Sequence, residues 1–122
     1  MRVNIARGIW LTVITLIGGV CPAAAQDSKT FTGVASYYAK NYSGKTASGE
    51  KYDGTKFTAA HRTLPFGTRV VVTDVRTKRS VTVRVNDRGP FIKGRIIDLS
   101  YAAASEMRMQ ARGLAKVTAV AQ

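Results

Sequence analysis

Cysteine, histidine and tryptophan each occur once in this chain, as Cys21, His61 and Trp10, and only 7 acidic residues stand against 19 basic ones. One histidine and one cysteine cannot build a zinc site of the usual kind, so no metal and no cofactor is expected. Neither a G-x-S-x-G elbow nor a phosphate-cradling glycine loop is present, which removes two common routes to nucleophilic and phosphoryl chemistry. Ser36 and Ser48 have no identifiable base partner. Carboxylate acid–base chemistry is what remains.

The N-terminus reads as a secretory leader. Arg2 and Arg7 give a positive start, Ile9 to Val20 is apolar apart from two threonines and two glycines, and Ala23-Ala24-Ala25 offers an A-x-A cleavage site. Residues 1–25 are therefore expected to be removed, leaving 97 of the 122 residues, 26–122, as one domain. Cys21 raises the rival reading of a lipid-anchored protein, but Val20 and Gly18 stand where such signals want a small residue and a leucine. Plain cleavage discards Cys21 and Trp10, so no disulfide and no stable membrane anchor is expected. The formal charge of +12 drops to +10 once Arg2 and Arg7 are lost. An exported basic domain suits acidic envelope polymers in the periplasm or cell envelope better than nucleic acid, although scattered lysines also serve solubility.

The remainder has the rhythm of a small β domain. Strands are predicted over Phe31–Ala39, Phe57–Ala60, Thr68–Val75, Val81–Val85, Arg95–Asp98 and Leu114–Val120. Val70, Val71 and Val72 in a run predict burial on both faces, and Arg76–Arg79 joins two strands as a hairpin. Lys40–Lys56 lacks an apolar period and reads as a long functional loop. Ser100 is a good N-cap for a single helix over Tyr101–Met109, stopped by Gly113. On the last strand Ala115, Val117 and Ala119 share a face. About six strands and one short helix result.

The most informative stretch is Val81 to Phe91. Val81, Val83 and Val85 point one way and Thr82 and Arg84 the other. The pattern then breaks on Asn86-Asp87-Arg88-Gly89-Pro90, which places Asp87 where a rigid strand meets a loop. Of the seven carboxylates, Glu50 and Asp87 lie at loop-rich junctions, and His61 lies at another. Paired carboxylates across a groove can break glycosidic bonds. Each has a plain alternative: Asp87 closing its turn, Glu50 a solvated charge, His61 bonding its loop to the barrel. Asp98 is expected to cap or brace the helix start.

Gly33-Val-Ala-Ser-Tyr-Tyr38, Thr46-Ala-Ser-Gly-Glu-Lys-Tyr52, Thr58-Ala-Ala-His-Arg-Thr-Leu-Pro-Phe-Gly-Thr-Arg-Val70, Val83-Arg-Val-Asn-Asp-Arg-Gly-Pro-Phe91 and Gly94-Arg-Ile-Ile-Asp-Leu-Ser100, in this order, resemble the rare lipoprotein A (septal ring lytic transglycosylase) family. The resemblance implies a mainly β fold, a six-stranded double-psi β-barrel with one short α-helix. It implies cleavage of peptidoglycan glycan strands, preferably stripped of stem peptides, without water and with 1,6-anhydro-N-acetylmuramic acid ends. It places the family's active-site residues on Glu50, His61 and Asp87. Asp87 would act as acid and then as base, Glu50 would stabilise the oxocarbenium-like charge, and His61 would orient or tune Asp87. Tyr37, where the family often carries Trp, and Arg88 are the substrate-binding candidates. The C-terminal glycan-binding repeat that many members carry is not seen, so septal targeting is not carried over. A monomer is the default. The main rival is an expansin-like module that binds and loosens wall glycan without cleaving it; a secreted inhibitor on the same barrel is a further one.

Overall fold

The computed structural model describes residues 29–122, and the expected leader, with Trp10 and Cys21, lies outside the described residues. Six strands and one helix follow in order: β1 (Lys29–Tyr37), β2 (Thr58–Ala60), β3 (Arg69–Asp74), β4 (Ser80–Asp87), β5 (Arg95–Leu99), α1 (Tyr101–Glu106) and β6 (Ala115–Ala121). They close into a barrel in the order β1-β5-β2-β4-β3-β6. The pairs β1–β5 and β2–β4 are parallel and the other four are antiparallel. Closure removes the unpaired edges that a six-stranded open sheet would expose.

Alternation in the valine-rich strands builds the core. Val70 and Val72 of β3, Val81, Val83 and Val85 of β4, Ile97 and Leu99 of β5, and Val117 and Ala119 of β6 converge inside, each at most 5% exposed. The expected face of β6 is the buried one. β3, in contrast, is not buried on both sides: Val71 is only half-buried. A closed barrel has one interior, and the helix packs against β4 and β5 rather than over β3. Gly33 permits the close β1–β5 approach, because a Cβ there would sit 2.7 Å from Ile96 Cγ2.

The helix begins as expected. Ser100 Oγ accepts from the Ala103 amide at 3.2 Å, and the hydroxyl donates to the Lys56 carbonyl at 2.6 Å. It ends earlier than the sequence suggested, at Glu106 rather than Met109. Met107 and Met109 are both fully buried, and a helix would send residues two apart to opposite sides. Arg108 instead takes a left-handed φ of 54°, which turns Met109 back into the core.

Candidate active site

Four residues line up across adjacent strands. Ser36 of β1 pairs with Asp98 of β5, Asp98 pairs with Ala60 of β2, and Ala60 pairs with Asp87 of β4. Ala35, Ile97, Ala59 and Leu99, the neighbours of Ser36, Asp98 and Ala60, fill the core, so these three residues face away from it. Strict alternation after Val81, Val83 and Val85 would instead send Asp87 inward. A one-residue register shift of β4 against β2, between Ala59 and Ala60, turns it out beside Ala60. Re-aiming a side chain in this way is a recognised use of a β-bulge.

Asp87 is held by three donors. Its Oδ1 accepts from the Ala47 amide at 2.8 Å and the Arg88 amide at 2.9 Å, and its Oδ2 accepts from the Tyr38 hydroxyl at 2.5 Å. Tyr38 is fixed in turn: its ring stacks on Tyr52 at 4.5 Å and 21°, with Tyr42 against both at 5.1 and 5.2 Å. Burial, followed by the Asp87 bond, pushes the Tyr38 hydroxyl far above its ordinary range, so it stays a donor.

The long loop supplies the second carboxylate. Ser48 donates its amide to the Asn86 carbonyl at 3.1 Å, which ties the loop to the end of β4. Gly49, at φ +96°, makes the turn between Ala47 and Glu50. Glu50 accepts from both guanidinium nitrogens of Arg84, at 2.8 and 3.3 Å. The Arg84 bond, with Asn86 and nearby Lys56, holds the Glu50 carboxyl below the usual range, so it is ionised at neutral pH. Lys51, Tyr52, Asp53, Gly54 and Lys56 line an open cavity of ≈ 470 Å³ further along the loop.

The other candidates sit as follows. His61 is buried, and its Nδ1 accepts from the Thr63 and Leu64 amides, both at 3.1 Å, which puts the ring proton on Nε2. Its backbone amide donates to the Asp87 carbonyl at 3.2 Å. Arg88 reaches back to the carbonyls of His61 and Leu64 at 3.1 and 2.8 Å, with its guanidinium 4.0 Å from the Phe66 ring centre. Asp87 and Glu50 are thus gathered around the end of β4, whereas the hydrogen bonds of the His61 ring go to its own loop. Tyr37 is turned the other way. It packs against the core, and its hydroxyl donates to the Gln110 carbonyl at 3.0 Å.

Three participants escaped the sequence reading: Tyr38, Arg84 and Asp98. Asp98 does not cap the helix, a role taken by Ser100; its Oδ1 accepts instead from the Ser36 hydroxyl. Period two within β1 and β5 holds the signal. Tyr38 shares the parity of Ser36, and Asp98 lies between the inward Ile97 and Leu99. Among the described residues no cluster of three His, Cys, Asp or Glu could hold a metal ion.

A closed six-stranded barrel with two parallel strand pairs is a double-psi β-barrel of the kind the motifs implied. The chain belongs to the lytic transglycolase family, whose profile matches residues 30–119. It is 55% identical over 86 residues, 70% of the chain, to the endolytic peptidoglycan transglycosylase RlpA of Pasteurella multocida. It is 50% identical over 97 residues, 79% of the chain, to the RlpA of Campylobacter jejuni. The chain spans only 29% and 35% of those two proteins. Among solved structures, the Streptomyces papain inhibitor shares the fold with a TM-score of 0.63 at 26% identity, over 77% of this chain and 96% of that one.

Proposed function

We propose that this barrel is an endolytic peptidoglycan transglycosylase that cuts glycan strands, preferably stripped of stem peptides, and leaves 1,6-anhydro-muramic ends. The observation that carries this reading is the Asp87 carboxylate, brought beside Ala60 by the register shift and held by Ala47, Arg88 and Tyr38. It is supported by relatives named for that activity. Protonated Asp87 gives its proton to the glycosidic oxygen as the bond to the muramic anomeric carbon breaks. The carboxylate then takes the proton of the C6 hydroxyl as that oxygen closes on the same carbon. One group serves as acid and base because the nucleophile belongs to the substrate. Ionised Glu50 stabilises the positive charge that develops on the ring.

His61 acts as a positioning residue in this reading. Its loop anchors Arg88, and its amide bonds the Asp87 carbonyl. Sugar stacking falls to exposed Tyr42 and to Phe66, whose ring Arg88 covers, rather than to Tyr37. Export behind a leader over residues 1–25, an envelope location and a monomeric state complete the proposal. The test is mass spectrometry of sacculi, intact and amidase-stripped, after incubation with the protein. New anhydro ends are expected. New reducing ends would mean a hydrolase, and co-sedimentation without new ends would mean an expansin-like binding module.

A further inference from the structure

The loop that carries Glu50 also carries lysines that no acid answers. Lys45 and Lys51 face each other across an isolated antiparallel bridge. Residues directly opposite in such a pair hold their Cβ atoms about 5 Å apart, and like charges there are unfavourable. Lys51 and Lys56 then line the open cavity of ≈ 470 Å³, with Tyr52, Asp53 and Gly54. Lys45, Lys51 and Lys56 are all exposed, and among the described residues none of them is ion-paired; the salt bridges there are Arg84–Glu50 and Arg112–Asp74. The cavity's own carboxylate, Asp53, turns its Oδ1 to the Thr55 amide and hydroxyl at 2.9 and 2.6 Å. The backbone beneath is fixed. The Tyr52 amide donates to the Gly44 carbonyl at 2.8 Å, the Gly54 carbonyl accepts from the Ala102 amide at 2.9 Å, and the Lys56 carbonyl accepts from Ser100 Oγ. An anion set among these ammonium groups would offset their repulsion, and the fixed floor lowers the ordering cost of binding it. Two links tie the cavity to the catalytic carboxylates. Lys51 follows Glu50 in the chain, and Tyr52, a cavity wall, stacks on Tyr38, the donor to Asp87.

We propose that Lys45, Lys51 and Lys56 form a carboxylate cradle that reads the lactyl group of the muramic residue bound at Asp87 and Glu50. The inference rests on the transglycosylase reading above and says how stripped strands are told from intact ones. In an intact strand the lactyl carboxyl is an amide to the stem peptide and carries no charge. Removing the peptide frees it as a carboxylate on each muramic residue. That carboxylate is joined to the sugar ring through one ether-linked carbon, so a sugar held by the catalytic carboxylates presents it at a nearly fixed distance. The carboxylates of a stem peptide sit instead on a flexible chain, whose ordering would cost part of the gain. The cavity, at ≈ 470 Å³, has the size of a small-molecule site and can take the substituent with part of its ring. An amide offers neither the charge nor the second acceptor oxygen, so the intact strand forgoes the charge-assisted bonds.

The test measures KM on amidase-stripped strands, on the same strands with their lactyl carboxyls capped as methylamides, and on intact strands. Capping should raise the KM of the unsubstituted protein about tenfold, the combined size of two exposed ion pairs, and the effect should shrink as salt is added. Lys51→Gln combined with Lys56→Gln should raise KM on uncapped strands by the same factor, with the melting temperature held because both side chains are exposed. On capped strands the double substitution should add less than about twofold, since the two changes remove one interaction. Lys116→Gln, which takes an exposed charge from β6, should leave KM as it is. Calorimetric binding of Asp87→Asn to capped and uncapped strands repeats the comparison without cleavage. Equal KM on capped and uncapped strands would overturn the cradle. So would an undiminished loss by the double variant on capped strands, because the lysines would then act through Glu50. A loss of the same size on intact strands would assign the charge to the stem peptide and overturn it too. An unsubstituted protein that cuts none of the strands overturns the transglycosylase reading, whereas weaker binding to capped strands would still uphold the cradle.

Discussion

Replacing Asp74 by Asn isolates the one fully buried carboxylate of the barrel. Asp74 ends β3, at the opposite end of β4 from Asp87. Its Oδ1 accepts from the Arg76 and Thr77 amides at 2.8 and 3.2 Å, and its Oδ2 accepts from Arg112 Nη2 at 2.5 Å. Asparagine can keep the first oxygen's bonds. It loses the ionic one and turns an NH2 donor toward a guanidinium donor. A hydrogen bond to a charged group contributes about 1.5–3 kcal/mol. At about 4–8 °C per kcal/mol for a domain of this size, the melting temperature should fall by roughly 10–20 °C. Acid should expose the same interaction. Burial pushes the Asp74 carboxyl up, but Arg112 and the two amides outweigh it and hold it below the usual range. Its contribution is therefore present above about pH 4 and is lost as the pH falls through the lowered folded value. Thermal melts followed by circular dichroism between pH 2 and 7, ranges set by that reasoning, should show the unsubstituted protein losing stability more steeply than Asp74→Asn below about pH 4. A melting temperature within about 3 °C of the parent, or identical acid limbs, would refute the argument.

Arg84→Met removes a half-exposed ion pair, so it should cost at most about 1 kcal/mol of stability. It should nevertheless cut glycan cleavage about tenfold, by freeing Glu50 from its fixed orientation; parallel melts and turnover assays compare the two effects. Gly49→Ala meets the left-handed φ of +96°, should cost about 1 kcal/mol, and should slow cleavage by moving the Ala47 amide away from Asp87. Burial, with Arg62 and Arg88, holds His61 below its ordinary value, so the neutral form is the folded one. Stability should be complete above about pH 6.5 and fall as the pH drops below it. Protonation puts a hydrogen on the nitrogen that accepts from Thr63 and Leu64, and in His61→Asn this component of the pH dependence should vanish.

The strands were legible because alternation is local: Val81, Val83 and Val85, or Ala115, Val117 and Ala119, announce their face without reference to a partner. The motifs likewise marked Asp87 and Glu50. What a local pattern cannot carry is register. The shift that turns Asp87 outward depends on how β4 pairs with β2, more than twenty residues away in the chain. The same limit hid the Ser36–Asp98–Ala60–Asp87 row, which draws on four strands. The position of Asp98 just before the helix suggests a brace, yet Ser100 takes the cap and the Asp98 carboxyl accepts from the Ser36 hydroxyl instead. The family resemblance points to Tyr37, whereas strand parity sends Tyr37 toward the helix and Tyr38 to Asp87. The helix ends before Met109 because Met107 and Met109 are both fully buried on one side, where a continuous helix would send them to opposite sides.

The central claim is that the bond is broken by the substrate's own hydroxyl under the control of Asp87. The most direct measurement digests stripped glycan strands in heavy-oxygen water with the protein and with Asp87→Asn, reading the new ends by mass spectrometry. The account predicts anhydro ends free of the label from the unsubstituted protein, and none from a folded Asp87→Asn. Label incorporated at new reducing ends, or cleavage by Asp87→Asn at an undiminished rate, would contradict it.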